Sequence, residues 1–296
     1  GQVIRLLPAQ SYGTTGITIS TGRQLTIYGP AEPQLDPLSP ALANTLSGDP
    51  AIRVSGANTK LILDGVVLSG PSGLVSTGTV ECTDRAEVSL RRSIVRGSVG
   101  FGVYADRCVS VNLDRTQVVG NHGAIYLNAV DNYSVANTLI AANLARPTDD
   151  SAIRITASTG AFRFSTMVNN QARANIAGAF QREGTPILHV QSSIVTGNQL
   201  SSAKSQFFPL YGYDLLDVTV GADPQQVVPV AADRLHTVDP VFTSPSVFDF
   251  SLVDDSGTAG PNSQCCLQKV VKAVDIGVDL YGRARSAQTE PGAISR

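Results

Sequence analysis

The chain has no tryptophan, and charged residues make up only 16% of its 296 positions, with a formal net charge of −2. It carries neither a basic block nor an acidic tail, so it lacks the electrostatic footprint of a nucleic-acid binder. No apolar run reaches the roughly eighteen residues that a membrane helix requires, and no span is expected. The opening GQVIRLLPAQ has neither a basic segment nor an apolar signal region; any targeting peptide is expected to lie outside this sequence. Four cysteines in so long a chain do not make a small disulfide scaffold, and no Cys-x-x-Cys or Cys/His spacing suggests zinc or another cofactor. Lys and Glu are scarce on the alternating segments while Gly reaches 27, a balance that suits strands and tight turns.

What the chain does have is a returning phrase. It reads SIVRG at 93–97, TQVVGN at 116–121, TLIAAN at 138–143, TMVNN at 166–170 and SIVTGN at 193–198, with a weaker copy, GVVLSG, at 65–70. The small or Asn residues near its close, Gly70, Gly97, Gly120, Ala142, Asn169 and Gly197, are spaced by 27, 23, 22, 27 and 28 residues. Upstream of each phrase stands an alternating triplet: Ile52-Arg53-Val54, Val80-Glu81-Cys82, Val103-Tyr104-Ala105, Ile125-Tyr126-Leu127 and Ile153-Arg154-Ile155. Between triplet and phrase lies another short alternating run, such as Val88-Ser89-Leu90 or Val111-Asn112-Leu113. Each repeat thus holds three short strands and no helical face, which excludes ankyrin-like, tetratricopeptide and most leucine-rich designs. A coil that climbs one strand spacing, about 4.8 Å, per repeat fits. The expected fold is all-β: a parallel β-helix of three sheets with coils of 22–28 residues.

The same alternation predicts facing. Leu90 should stack on Leu113 and Arg91 over Asp114, with Val95, Val118, Ile140 and Val168 inside. Cys82 shares the inward column of Val54, Ala105, Leu127 and Ile155, which reads as a buried core thiol. Four cysteines allow three pairings, and the sequence does not choose among Cys82, Cys108, Cys265 and Cys266. Residues 3–29 read as the first strands of the solenoid. Residues 30–50 hold five of the sixteen prolines, so that stretch is expected to be an excursion from the first coil, or a linker, with no strand. After Asn198 the repeat fades into irregular coils through 238, around an aromatic cluster of Phe207, Phe208, Tyr211 and Tyr213. Pro209, Pro224 and Pro229 argue against a helix there.

These strand–turn–strand phrases, closed by S/T-x-V-x-x-N, resemble the right-handed parallel β-helix of the pectate-lyase-like superfamily over roughly residues 15–200. Right-handedness comes from that resemblance and from the rarity of left-handed crossovers. Residues 239–296 resemble the choice-of-anchor Q domain. Its pattern is met by Asp239, Pro240, Phe242 and Asp249, then by Ala273, Asp275, Gly277, Asp279, Gly282, Arg285, Gly292 and Ala293. The chain departs from that pattern where Cys265-Cys266 is inserted and where it ends in Ile294-Ser295-Arg296. The resemblance implies a bacterial protein that is secreted or displayed on the cell surface, with 239–296 closing the solenoid.

One outward side chain per coil forms a vertical row, here Arg53, Glu81, Tyr104, Tyr126 and Arg154. The two tyrosines could face sugar rings, and the arginines could hold uronate carboxylates or sulfates; equally, Tyr and Arg could simply cover a sheet face. A polysaccharide or cell-surface glycan is the expected partner. His122 and Asp149-Asp150 lie in loops expected beside the row. A lyase would use Tyr126 or His122 as base and Arg154 as the cation that stabilises the enolate. Calcium needs six to eight oxygens, whereas the row offers only Glu81, so no metal site is expected. No two carboxylates occupy adjacent outward positions as a glycosidase would require. Asn121, Asn143, Asn170 and Asn198 recur once per coil at one turn, the pattern of a stacked structural ladder. The leading reading is a non-catalytic glycan binder, set against a polysaccharide lyase and a passive stalk.

Overall fold

The structure, a computed structural model, describes residues 1–7, 10–12, 16–29, 45–70, 77–144, 152–171, 180–184 and 187–198. Beyond those it describes 207–208, 213–216, 218–220, 235–237, 240–244, 249–253, 270–271, 279–280 and 288–289. Among these residues there is no helix, and three parallel sheets of nine, ten and eight strands run the length of a solenoid. Sheet A holds the middle run of each repeat, for example Glu87–Arg91 and Ser110–Asp114. Sheet B holds the phrases, such as Ile94–Arg96 and Gln117–Val119. Sheet C holds the triplets, such as Phe101–Asp106 and Ile125–Asn128. Leu90 pairs with Leu113, Arg91 with Asp114 and Val95 with Val118, one coil above the other.

Each coil turns three corners, and the corners from Asp84 to Gly197 use one or two residues in the left-handed region. From sheet A to sheet B these are Arg92, Arg115, Asn137, Phe164 and Ser192; from B to C they are Gly97, Gly120, Ala142, Asn169 and Gly197. From C to A the series includes Arg107, Ala129, Ala157 and Gly184. Most of these residues carry a Cβ and so adopt the conformation at a cost, which the surrounding hydrogen bonds offset. In five successive coils the A-to-B corner is two residues long: 92–93, 115–116, 137–138, 164–165 and 192–193. Its second residue, a buried Ser or Thr, donates its hydroxyl to the carbonyl two residues back, as in Ser93 to Arg91 at 2.7 Å and Thr138 to Ala136 at 2.8 Å. Within these coils length varies almost entirely at the B-to-C corner, which takes 97–100 and 120–124 in two coils but 142–152 and 169–179 in the next two.

Within that corner stand the four asparagines, all buried. The amide of Asn121 donates to Oδ1 of Asn143 at 3.0 Å, Asn143 to Asn170 at 2.9 Å, and Asn170 to Asn198 at 2.8 Å. Each receiving Oδ1 also accepts the backbone N–H of the asparagine before it, at 3.0, 3.1 and 2.9 Å. Every Nδ2 makes a further bond to a carbonyl, such as Asn143 to Val118 at 2.9 Å.

The interior is aliphatic at the first coils, with Val54, Leu63, Leu90 and Leu113 buried. It becomes aromatic further on, where Tyr133, Phe162, Phe180 and Phe207 follow one another at centroid separations of 5.8, 5.0 and 5.3 Å. The Tyr133 ring fits because Gly160 is its partner in the next coil: a Cβ there would come within 2.6 Å of Tyr133 Cγ.

Several expectations are corrected. Cys82 is not a free thiol; it is disulfide-bonded to Cys108, Cα–Cα 6.2 Å. Cys108 occupies the C-to-A corner one coil on, where no strand alternation marks its direction, so the pairing was invisible to pattern reading. Cys265, Cys266, Tyr211, and 30–44 of the proposed excursion lie outside the described residues, but Thr45–Ser47 is a strand of sheet B. Val168 does not point inward: Met167 pairs with Ile140 and takes the core position, while Val168 is on the outer wall. Past Asn198, where further but irregular coils are expected, Phe207–Phe208, Tyr213–Leu216 and Val218–Val220 keep the register in all three sheets.

That outer wall of sheet B is itself buried. Val67, Ile94, Val119, Leu139, Ala141 and Val168 form a second apolar cluster with Leu280, and Phe242 packs against it. From 239–296, Leu280 and Phe242 thus pack on sheet B, and Phe242–Ser244 pairs antiparallel with Asp249–Leu252. The phrases Ile94-Val95, Val118-Val119 and Leu139-Ile140-Ala141 are apolar without alternation, the mark of a parallel strand covered on both faces.

Candidate functional site

With sheet B covered, the outward face of sheet C displays the row of larger side chains. Arg53 pairs in register with Glu81, Glu81 with Tyr104, Tyr104 with Tyr126 and Tyr126 with Arg154, so the five sequence-derived residues form one continuous row. Gln181 continues it. Two residues further along each strand runs a parallel row of Ser55, Thr83, Asp106, Asn128 and Thr156.

The two tyrosine rings lie 4.9 Å apart and within 10° of parallel. Rings side by side in one plane could not approach so closely without overlap of their edges, so the pair is offset-stacked, one face of each turned toward the other. Arg154 sits over Tyr126 with Cζ 5.7 Å from the ring centroid. Buried Phe101 supports both rings, at 5.2 Å from Tyr126 and 6.4 Å from Tyr104. What the half-buried tyrosines offer to solvent is therefore mainly ring edges and hydroxyls.

The charges of the row are matched internally. Arg53 Nε donates to Glu81 Oε2 at 2.7 Å, and Thr77 donates to the other oxygen of the buried Glu81 carboxylate. Arg154 donates to both carboxylate oxygens of Glu183, each at 3.1 Å. Asp106 accepts the Asn128 amide at 2.7 Å and Arg107 Nε at 3.1 Å. Burial raises the Tyr104 phenol above its ordinary range, with Asp106, Tyr126 and Glu81 adding to the shift and Arg107 opposing it.

His122 lies in the turn entering Tyr126, where its backbone N–H donates to the Ser98 carbonyl at 2.7 Å; Asp149 and Asp150 lie outside the described residues. Sequence reasoning missed Phe101, Glu183 and the Asp106–Asn128 pair. The latter two were legible, since Asp106 and Asn128 stand two residues beyond the aligned tyrosines. Among the described residues no group of three His, Cys, Asp or Glu is placed to hold a metal ion. No described helix is long and apolar enough to cross a membrane.

Compared with protein-family models, curated proteins and solved structures, the chain matches none. Its own geometry defines its class, a parallel β-helix whose sheet C carries an outward row of aromatic and charge-paired side chains.

Proposed function

We propose that this chain is a secreted or cell-surface β-helix of the pectate-lyase-like kind that binds a glycan on sheet C without cleaving it. Its segment 239–296 is read as choice-of-anchor Q-like. The observation that supports binding is the Phe101–Tyr104–Tyr126 cluster, a stacked tyrosine pair packed on a buried ring, whose edges and hydroxyls stand beside hydroxyl, amide and carboxylate groups. Mere cover for a sheet face needs no such supporting ring. The Cys82–Cys108 bond supports the location, because disulfides persist in oxidising compartments. A lyase is less favoured, because the cation it would use, Arg154, is held by Glu183.

The test is titration of the protein with a panel of oligosaccharides, alongside an assay for unsaturated sugar products. Binding without product is expected, and the double variant Tyr104→Ala/Tyr126→Ala should bind nothing while keeping a cooperative thermal transition. Unsaturated product would replace the binding reading with the lyase.

A further inference from the structure

Resting on that reading, we propose that the glycan is uncharged: sheet C is built to bind a neutral polysaccharide through Tyr104, Tyr126, Asp106 and Asn128, and it rejects uronates and sulfated chains. The arginines that would recruit an anion are already occupied by carboxylates from their own or a neighbouring coil. Arg53 holds Glu81, Arg107 bridges Asp84 and Asp106, and Arg154 holds Glu183. These carboxylates are attached to the same sheet, so an incoming uronate must displace a partner that is always present. It must also lie beside Glu81 and Asp106, which repel it.

A neutral sugar meets the opposite conditions. Its hydroxyls can donate to the Asp106 carboxylate and the tyrosine oxygens and accept from the Asn128 amide and the tyrosine hydroxyls, none of which asks for a charge on the sugar. The side chain of Asp106 is 21% exposed, open enough to be reached and too fixed to swing away from its Asn128 and Arg107 partners. Tyr104 and Tyr126 are one coil apart, so a chain lying along the axis meets two phenols about 4.8 Å from each other.

Calorimetric titration with neutral oligosaccharides (cello-, xylo- and manno-oligomers) and acidic ones (oligogalacturonate, alginate oligomers), at low and high salt, tests this. A neutral oligomer should bind, with less than about a twofold change in Kd between the two salt levels, because no ion pair is formed for salt to screen. Tyr104→Ala/Tyr126→Ala should raise that Kd at least tenfold. Asp106→Asn should weaken neutral binding several-fold; if the ligand were acidic, the same change would strengthen it by removing a repulsive charge. Preference for oligogalacturonate, lost at high salt and in the double tyrosine variant, overturns the uncharged ligand and leaves the sheet C reading standing. Binding that survives the double variant, or no binding across the panel, overturns the sheet C reading and this inference with it.

Discussion

At the scale of single residues, the asparagine column and the buried tyrosine are the sharpest tests. Asn143 donates to a carbonyl and to Asn170, and its Oδ1 accepts from two donors of Asn121, all in a dry environment. Asn143→Ala strands these groups and should cost about 1–3 kcal/mol in denaturant unfolding. An unchanged midpoint would mean the column is not holding the turn. The Tyr133 hydroxyl is buried without a hydrogen-bond partner among the described residues. Tyr133→Phe should therefore leave stability unchanged or raise it by up to about 1 kcal/mol. Desolvation pushes the Tyr133 phenol far up, and Tyr104 is raised as well. A raised folded pKa means that stability is fully present below the free phenol range, about pH 10, and is lost as pH climbs through the folded values. Phenolate absorbance should show both residues lagging the exposed tyrosines until the fold opens. The asparagine column was legible because its period equals the coil; the Tyr133–Gly160 fit was not, because periodicity reports direction and says nothing about volume.

At the scale of elements, corners differ in what they permit. Over the five coils from Arg92 to Ser193 the A-to-B corner keeps two residues, and its hydroxyl reaches the carbonyl two residues back. One Gly inserted between Arg115 and Thr116 should break that bond and shift the following strand by one, moving Val118 off the core face. Inserted between Val99 and Gly100, at the corner whose length varies, the same residue should lower the thermal midpoint far less. The two aspartate substitutions at Ile140 and Val168 now part company. Ile140→Asp places a carboxylate inside the solenoid and should cost several kcal/mol. Val168→Asp strikes the outer wall beneath Leu280 and Phe242, and should first make 239–296 sensitive to protease while the solenoid resists. Triplets and middle runs showed their facing because one side is wet. The phrases did not, since a strand apolar on both faces has no alternation to read, and that is where the inward assignment of Val168 failed.

At the scale of the whole molecule, the fold is close to one-dimensional, each coil touching its neighbours, and the Cys82–Cys108 bond is a covalent tie between successive coils. Closing a loop with a sequence separation of 26 should contribute about 3–4 kcal/mol by constraining the unfolded chain. The double variant Cys82→Ala/Cys108→Ala should unfold at correspondingly lower denaturant, and reductant should leave the native protein intact until it unfolds, because both sulfurs are buried. The asparagine column carries a different consequence, about how such a chain can change over generations. An amide here is satisfied only by the next coil, and any asparagine at that corner presents the same donors and acceptor. Excising the 22 residues from Asn121 to Ala142 would bring Asn143 to the position Asn121 leaves, behind Gly120, so that Ser98 meets Asn143 and all three sheets close over the cut. Excising half as many would join a strand of one sheet to a corner of another. Duplication or loss of a complete turn is thus the smallest rearrangement this architecture absorbs, and lineages of such proteins should differ in length by whole coils.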